Sequence, residues 1–324
     1  MRAVVLRGHG GVEVLSLEDV ADPEPGPEEI VVDVAATALN RADLLQREGR
    51  YPGPPSELEI PGLEYGGTVA AVGERVQQHQ VGDPVMGLVG GGAYATKLVT
   101  HERLALPIPA SVSTSDAAAI CEVFVTAHDA LVTQGGLTSG RSALVHAGAS
   151  GVGTAAIQIA RVIGARIAVT CSTAKVEACR DLGADLVVDY TTTDFAEAVL
   201  EWTGGVGVDV VLDVIGGEYL DRNLDSVKVQ GRIVQVGVMG EGAAPLSLPK
   251  LLPKRAAIIG TVLRSRPLEQ KIEASQRFAS ELLPLFEDGR LRPVIDSRYP
   301  LDRIAQAQQF MASNANVGKI LIEM

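Results

Sequence analysis

The sequence is poor in the residues that build metal centres and disulfide frameworks. Three cysteines in 324 residues, Cys121, Cys171 and Cys179, supply neither a paired set nor the clustered spacing of a zinc site. Aromatic residues make up 4% of the chain, with a single tryptophan. No apolar run reaches the length that spans a bilayer, and the opening MRAVVLRGHGG has no apolar core of a secretion signal. Basic residues are outnumbered, 28 Lys and Arg against 40 Asp and Glu, for a net charge of −12 that excludes a general nucleic-acid binder. The expected setting is therefore the cytoplasm, with no membrane contact. What is present is a hydrophobic fraction of 46%, far above that of a disordered chain. The length suits two domains or one large α/β body.

The most informative stretch is Ser142 to Tyr190, which reads strand, glycine-rich turn, helix, strand, helix, strand. Ser142–His146 is a short apolar run, Gly148, Gly151 and Gly153 follow, and Thr154–Ile163 carries apolar residues at helical spacing before Gly164. Arg166–Thr170 is the second strand. The loop Gly148, Ala149, Ser150, Gly151, Val152, Gly153 fits a pyrophosphate cradle, since the first N–H groups of a helix lack partners and glycine permits close approach. Ser150 stands where the middle glycine of G-x-G-x-x-G is expected, and Val152 rules out a G-x-S-x-G nucleophile elbow. The second strand ends in Thr170, Cys171, Ser172, Thr173, Ala174, Lys175, without the acid that grips the ribose hydroxyls of NAD. Hydroxyls and a lysine suit a 2′-phosphate, which predicts NADPH, with Ser172 and Lys175 on the phosphate. The alternative for Lys175 is a solvated residue of a helix's first turn.

Residues 1–120 look different. Arg2–Arg7, Val12–Glu18, Ile30–Ala36, Glu64–Val72, Pro84–Val89 and Ala93–Val99 read as short strands, with a short helix near Asn40–Glu48 and a stiff loop at Tyr51–Pro55. Many short strands broken by Gly and Pro predict a compact β-barrel-like domain. Helical character begins near Ala117–Leu131. Beyond the glycine loop, Leu186–Val188, Val208–Asp213, Ile233–Gly237 and Ala256–Val262 alternate with helical stretches near Asp194–Trp202 and Glu218–Leu224, predicting a parallel sheet wrapped by helices. A long helix runs from Leu268 towards Asp288, and the strand-like tail, Arg298–Pro300 and Lys319–Glu323, is expected to rejoin the first domain's sheet.

Several segments together carry a resemblance: ALNRADLLQREGRYPGPP (Ala38–Pro55), IPGLEYGGTV (Ile60–Val69), VGDPVMGLVGGGAYA (Val81–Ala95), AGASGVGTAAIQIA (Ala147–Ala160), LGADLVVDY (Leu182–Tyr190), GRIVQVG (Gly231–Gly237) and NVGKILIE (Asn316–Glu323). End to end, the chain resembles the zinc-free, zeta-crystallin-like quinone oxidoreductases of the medium-chain dehydrogenase/reductase superfamily, and especially the tumour-suppressor-inducible quinone oxidoreductases. The resemblance implies an α/β fold with a GroES-like β-rich catalytic domain (residues 1–121, completed by 265–324) and a doubly wound Rossmann NADP-binding domain (122–264), joined at a cleft. It implies NADPH-dependent hydride transfer to a quinone, and a homodimer made through the Rossmann domains.

The same resemblance nominates site residues. Thr126 in FVTAHDAL matches the family's L-T-A threonine near the nicotinamide, Tyr190 the position packed on the adenosine end, and Gly237 the close approach to the nicotinamide ribose. Asn316 precedes Gly-Lys where the family has an asparagine, with Asn314 the weaker candidate. Asn40 and Tyr51 are the substrate-side, catalytic candidates; Tyr51 is set to hydrogen-bond a carbonyl that gains negative charge, or only to wall the pocket. Asn40 falls at the zinc branch's first ligand and Leu63 at its histidine, while Cys121 lies near the third ligand without partners, so no metal is expected. His146 reads as a core histidine rather than a base. Two alternatives stand. One is an enoyl-thioester or enone reductase, for which Arg264 and Arg266 would meet a pantetheine arm rather than serve as loop arginines near the cofactor. The other is an NADPH-binding sensor or structural protein with little turnover.

Overall fold

The computed structural model describes residues 1–51, 53 and 56–324; the remainder of the Tyr51–Pro55 loop, Pro52, Pro54 and Pro55, lies outside the described residues. The chain divides into two compact units, Met1–Val125 with Arg264–Met324, and Thr126–Leu263.

The first unit opens with β1 (Arg2–Leu6) and β2 (Leu15–Asp19), then β3 (Glu29–Ala38), α1 (Arg41–Arg47), β4 (Glu64–Val72), β5 (Pro84–Leu88), β6 (Lys97–His101), β7 (Ala105–Pro107), α2 (Thr114–Ala117) and α3 (Cys121–His128). The second unit alternates β8 (Ser142–Val145), α4 (Gly151–Val162), β9 (Arg166–Cys171), α5 (Val176–Asp181), β10 (Leu186–Asp189), α6 (Phe195–Trp202), β11 (Val208–Asp213), α7 (Tyr219–Ser226), β12 (Val227–Gln235), α8 (Leu248–Lys254) and β13 (Ala257–Gly260). The chain then returns to the first unit with α9 (Leu268–Glu287), β14 (Ile295–Pro300), α10 (Ile304–Ala312) and β15 (Lys319–Glu323).

In the first unit β14-β15-β3-β4-β5-β7 form one sheet, and β6 also pairs with β3. β15 lies antiparallel to β3, Leu321 opposite Ala38, so the tail does rejoin the first sheet. Its Ile320, Leu321 and Ile322 are fully buried, which is what an uninterrupted apolar ILI run requires of a strand covered on both faces. Two expected strands shift. Val12–Val14 is a 3₁₀ turn, and pairing with β1 begins only at Leu15. Ala93–Ala95 faces β1, through the Val4 N–H to Tyr94 O bond of 2.8 Å, and the strand paired with β3 starts at Lys97.

The second unit is a six-stranded, wholly parallel sheet in the order β10-β9-β8-β11-β12-β13. Numbered from its own first strand, this is 3-2-1-4-5-6, the dinucleotide-binding order whose switch point lies between the first and fourth strands. One face of its core joins Leu144, Ala168, Val211 and Ile233 of the sheet to Phe195, Val199 and Leu224 of α6 and α7. Helices α8 and α10 were not expected: Pro249 and Pro253 break the helical pattern of the first, and α10 is only nine residues long.

Candidate functional site

The second unit offers a cofactor cradle where β8 turns into α4. Ala147 holds a left-handed φ of 57° and sends the chain sharply towards the helix. A Cβ on Gly148 would lie 2.6 Å from Val169 Cβ, and one on Gly153 2.3 Å from Ala147 O, so both positions demand glycine for helix and strand to pack this closely. Ser150 is the N-cap of α4, its Oγ accepting from the Gly153 N–H at 3.0 Å. Its hydroxyl thus orders the turn, which keeps the early N–H groups of α4 aligned along the helix axis as an anion site.

Beneath this loop a buried polar chain ties the carboxyl ends of the strands together. His146, just past β8, makes a 3.0 Å contact from Nδ1 to Thr170 Oγ1 and a 2.7 Å contact from Nε2 to Asn223 Oδ1. The Asn223 amide donates to Asp213 Oδ2 at 2.8 Å, and Asp213 Oδ1 accepts from the Ile215 and Gly216 N–H groups. Burial pushes the His146 pKa down, keeping the ring neutral. His146 is a core histidine that braces the switch point.

At the end of β9, Ser172 starts the 3₁₀ turn Thr173–Lys175. Sequence reading overlooked a neighbour. Asp189, at the end of β10, accepts from Thr173 Oγ1 at 2.6 Å on Oδ2 and from Thr191 Oγ1 at 2.6 Å on Oδ1, and these bonds hold its pKa below the usual carboxylate range. The register that sets Asp189 beside Cys171 brings it there, and its place in LVVDY was the available signal. Tyr190 is half exposed immediately after. Gly237 follows β12, its carbonyl accepting from the Gln235 amide at 2.6 Å. Thr126, in α3, opens the second unit.

The first unit carries a charged cluster in its core. Lys319 Nζ donates to Leu39 O at 2.7 Å, Asn40 Oδ1 at 2.6 Å and Glu64 Oε1 at 2.8 Å. Those three contacts match the three donors of an ammonium. The Lys319 and Glu64 side chains are 3% and 0% exposed. Asn40 Nδ2 donates to Glu64 Oε1 at 3.0 Å, and the Glu122 N–H, at the start of α3, donates to Glu64 Oε2 at 2.8 Å. Asp43 Oδ2 accepts from the Asn40 N–H at 2.7 Å and from Tyr94 Oη at 2.8 Å; burial pushes this carboxyl up to about 6.

Tyr51 is half-buried at the edge of this cluster, and Arg264 holds its segment. The guanidinium donates to Gly90 O at 2.7 Å, Tyr51 O at 3.2 Å and Gln46 Oε1 at 2.7 Å, and its carbon lies 4.9 Å from the Tyr51 ring centroid. Arg264 is thus spent on the Tyr51 segment, within the first unit. Burial, followed by the nearby Glu122 charge, raises the Tyr51 pKa, so its phenol stays protonated as a hydrogen-bond donor. Asn316, nearly buried, donates from Nδ2 to Gly318 O at 2.8 Å and shapes the turn into β15. Asn314 Oδ1 accepts from Arg41.

This donor set does not suit zinc. The Lys319 ammonium already occupies Asn40 Oδ1 and Glu64 Oε1. The buried Cys121 thiol is pushed well up by burial and by Glu64 and Glu122, which disfavours the thiolate that zinc binds. Among the described residues no group of three or more His, Cys, Asp or Glu is arranged to hold a metal ion, and no helix is long and apolar enough to cross a membrane.

A Rossmann unit joined in one chain to a GroES-like β-rich unit defines the class of two-unit, nicotinamide-dependent oxidoreductases. Residues 26–110 match the alcohol dehydrogenase GroES-like domain and residues 151–281 the zinc-binding dehydrogenase family. The human synaptic vesicle membrane protein VAT-1 homolog is 32% identical over 99% of this chain and 86% of its own length. A quinone oxidoreductase of Pseudomonas syringae pv. Tomato DC3000 superposes with a TM-score of 0.90 at 31% identity, covering 100% of this chain and 99% of the other. The CurK enoyl reductase superposes at 0.87 with 30% identity over 100% and 99%. The chain belongs to the medium-chain dehydrogenase/reductase superfamily.

Proposed function

We propose that the protein is a cytoplasmic NADPH-dependent quinone reductase that works without a metal ion. The observation that carries this reading is the buried Lys319–Glu64–Asn40 cluster: the positive charge at the heart of the first unit is an ammonium with all three donors engaged. When bound, reduced nicotinamide supplies the hydride. The glycine loop 148–153 and the α4 N-terminus hold the pyrophosphate, while Ser172 and Lys175 meet the 2′-phosphate and Tyr190 the adenosine end. Thr126, Gly237 and Asn316 are assigned to the nicotinamide end.

Asn40, fixed by Lys319 and Glu64, and Tyr51, fixed by Arg264, orient the quinone, and the Tyr51 phenol donates a hydrogen bond to the oxygen that gains charge. The resemblance to quinone oxidoreductases supports the acceptor class. The likeness to an enoyl reductase supports a second reading, reduction of enoyl thioesters, against which stands the use of Arg264 within its own loop.

Steady-state NADPH oxidation with 1,2- and 1,4-quinones, cyclohexenone and crotonyl-CoA decides between them. Quinones are expected to give the highest kcat/KM. A thioester turned over faster than every quinone would replace this reading with the second.

A further inference from the structure

The glycine loop sits at the carboxyl end of the Rossmann sheet, after β8. The amino end of the same sheet carries a cavity to which no coenzyme group is assigned. Its volume is about 350 Å³, at the small end of the range for small-molecule sites. Arg141, Asp209, Lys228, Gln230 and Arg232 are among the residues that line it. Three positive side chains and one negative therefore meet here, on a chain whose net charge is −12. A local excess of cations against that acidic balance concentrates anions.

An irregularity in β12 makes the cavity. Val227 pairs with Val208 and Arg232 with Val210, so the residues from Lys228 to Gly231 stand against Asp209 alone. Such a bulge re-aims the side chains at its ends, here Lys228 and Arg232. Within it Gln230 holds a left-handed φ of 63°. Gly231 has no room for a side chain, since a Cβ would lie 2.4 Å from Val227 Cγ2.

Asp209 belongs to the frame. Its Oδ2 accepts from the Ser142 N–H at 2.9 Å, while Oδ1 pairs with Lys228 and lies 3.9 Å from Arg141 Nε. Each arginine is anchored by one terminal nitrogen: Arg141 Nη1 donates to Gly136 O at 2.8 Å and Arg232 Nη1 to Gln134 O at 2.7 Å. A Cβ on Gly136 would lie 3.5 Å from Arg232 Nη1 and 3.7 Å from Arg141 Nη1, so both guanidinium groups converge on one point of the chain. Among the described residues no acceptor is found for Nη2 of either. Anchored guanidinium groups with N–H donors to spare match the oxygens of a phosphate, and Lys228 adds a point charge.

We propose that this cavity is a second ligand site, which takes the dianionic phosphate group of a small phosphorylated metabolite. Amide NMR titrations of the whole protein at constant ionic strength test it, with glycerol 3-phosphate, inorganic phosphate and chloride as probes. The variants are Arg141→Gln, Arg232→Gln and, for the coenzyme cradle, Lys175→Gln. Glycerol 3-phosphate should shift the amides of Gly135, Gly136 and Lys228–Arg232 saturably, with a Kd of about 1 mM or tighter. Either arginine variant should weaken that binding by at least about tenfold while its remaining amides keep their wild-type positions. Lys175→Gln should leave it unchanged. Tighter binding of glycerol 3-phosphate than of inorganic phosphate supports an ester as the ligand, and the reverse order supports the free anion in the same site. No saturation at these amides by about 10 mM, or an equal response to chloride, overturns the proposal. So does a response that survives both arginine substitutions, or one lost in Lys175→Gln, which would put the phosphate in the coenzyme cradle. The wild-type titration decides by itself should an arginine variant fail to fold.

Discussion

Lys319 and Glu64 place opposite full charges in the core of the β-rich unit. Taking both out of water is costly, and their attraction offsets that cost only because every ammonium proton and both carboxylate oxygens find partners. Removing one partner is therefore far worse than removing both. Lys319→Met leaves Glu64 buried and uncompensated, and should lower stability to urea by about 3–5 kcal/mol. Adding Glu64→Gln should recover most of that loss. A single variant within about 1 kcal/mol of wild type would mean that the pair behaves like a surface ion pair. Asn40 was legible because its segment resembles a family motif. Lys319 and Glu64 were not, since a charge at the edge of an apolar strand does not reveal the partner that the fold delivers from elsewhere in the chain. Asp189 escaped for the same reason: its role follows from strand register, which sequence patterning does not supply.

Elements read well where their pattern is strong. The unit from β8 to β10 combines apolar strands with glycines whose spacing has a steric cause, and Gly148 and Gly153 sit where added side chains would collide. The 20-residue α9 shows sustained helical periodicity. Short elements read poorly. Val12–Val14 has a strand's composition but forms a 3₁₀ turn, and α8 is held by tertiary bonds that override its prolines: Lys250 Nζ donates to Asp221 and Asp225 at 2.6 and 2.7 Å, and Lys254 Nζ to Asp225 O and Val227 O. Arg264, expected as a loop arginine near the cofactor or as a contact for a pantetheine arm, closes its hydrogen bonds on the Tyr51 segment, a pairing that sequence spacing does not reveal.

At the scale of the whole molecule, the edge of the Rossmann sheet is the feature that bears on assembly. β13 is its last strand, pairing only with β12 among the described strands. Ile258 on β13, and Leu248 and Leu252 on α8, are exposed, Leu252 at 69%. An exposed apolar edge strand invites another strand, and we propose that a second copy pairs β13 to β13, giving the homodimer expected from the resemblance. Sedimentation velocity should find a dimer for wild type and a monomer for Ile258→Asp with Leu252→Asp; a monomeric wild type would remove the proposal.

We propose that a phosphorylated coenzyme is held at the acid-free end of β9 by Ser172 and Lys175, with Asp189 close by on β10. Calorimetric titration of the purified protein with NADPH and with NADH tests it most directly. NADPH should bind more tightly than NADH by at least about tenfold in Kd, or about 1.4 kcal/mol. Equal affinities, or a preference for NADH, would contradict it.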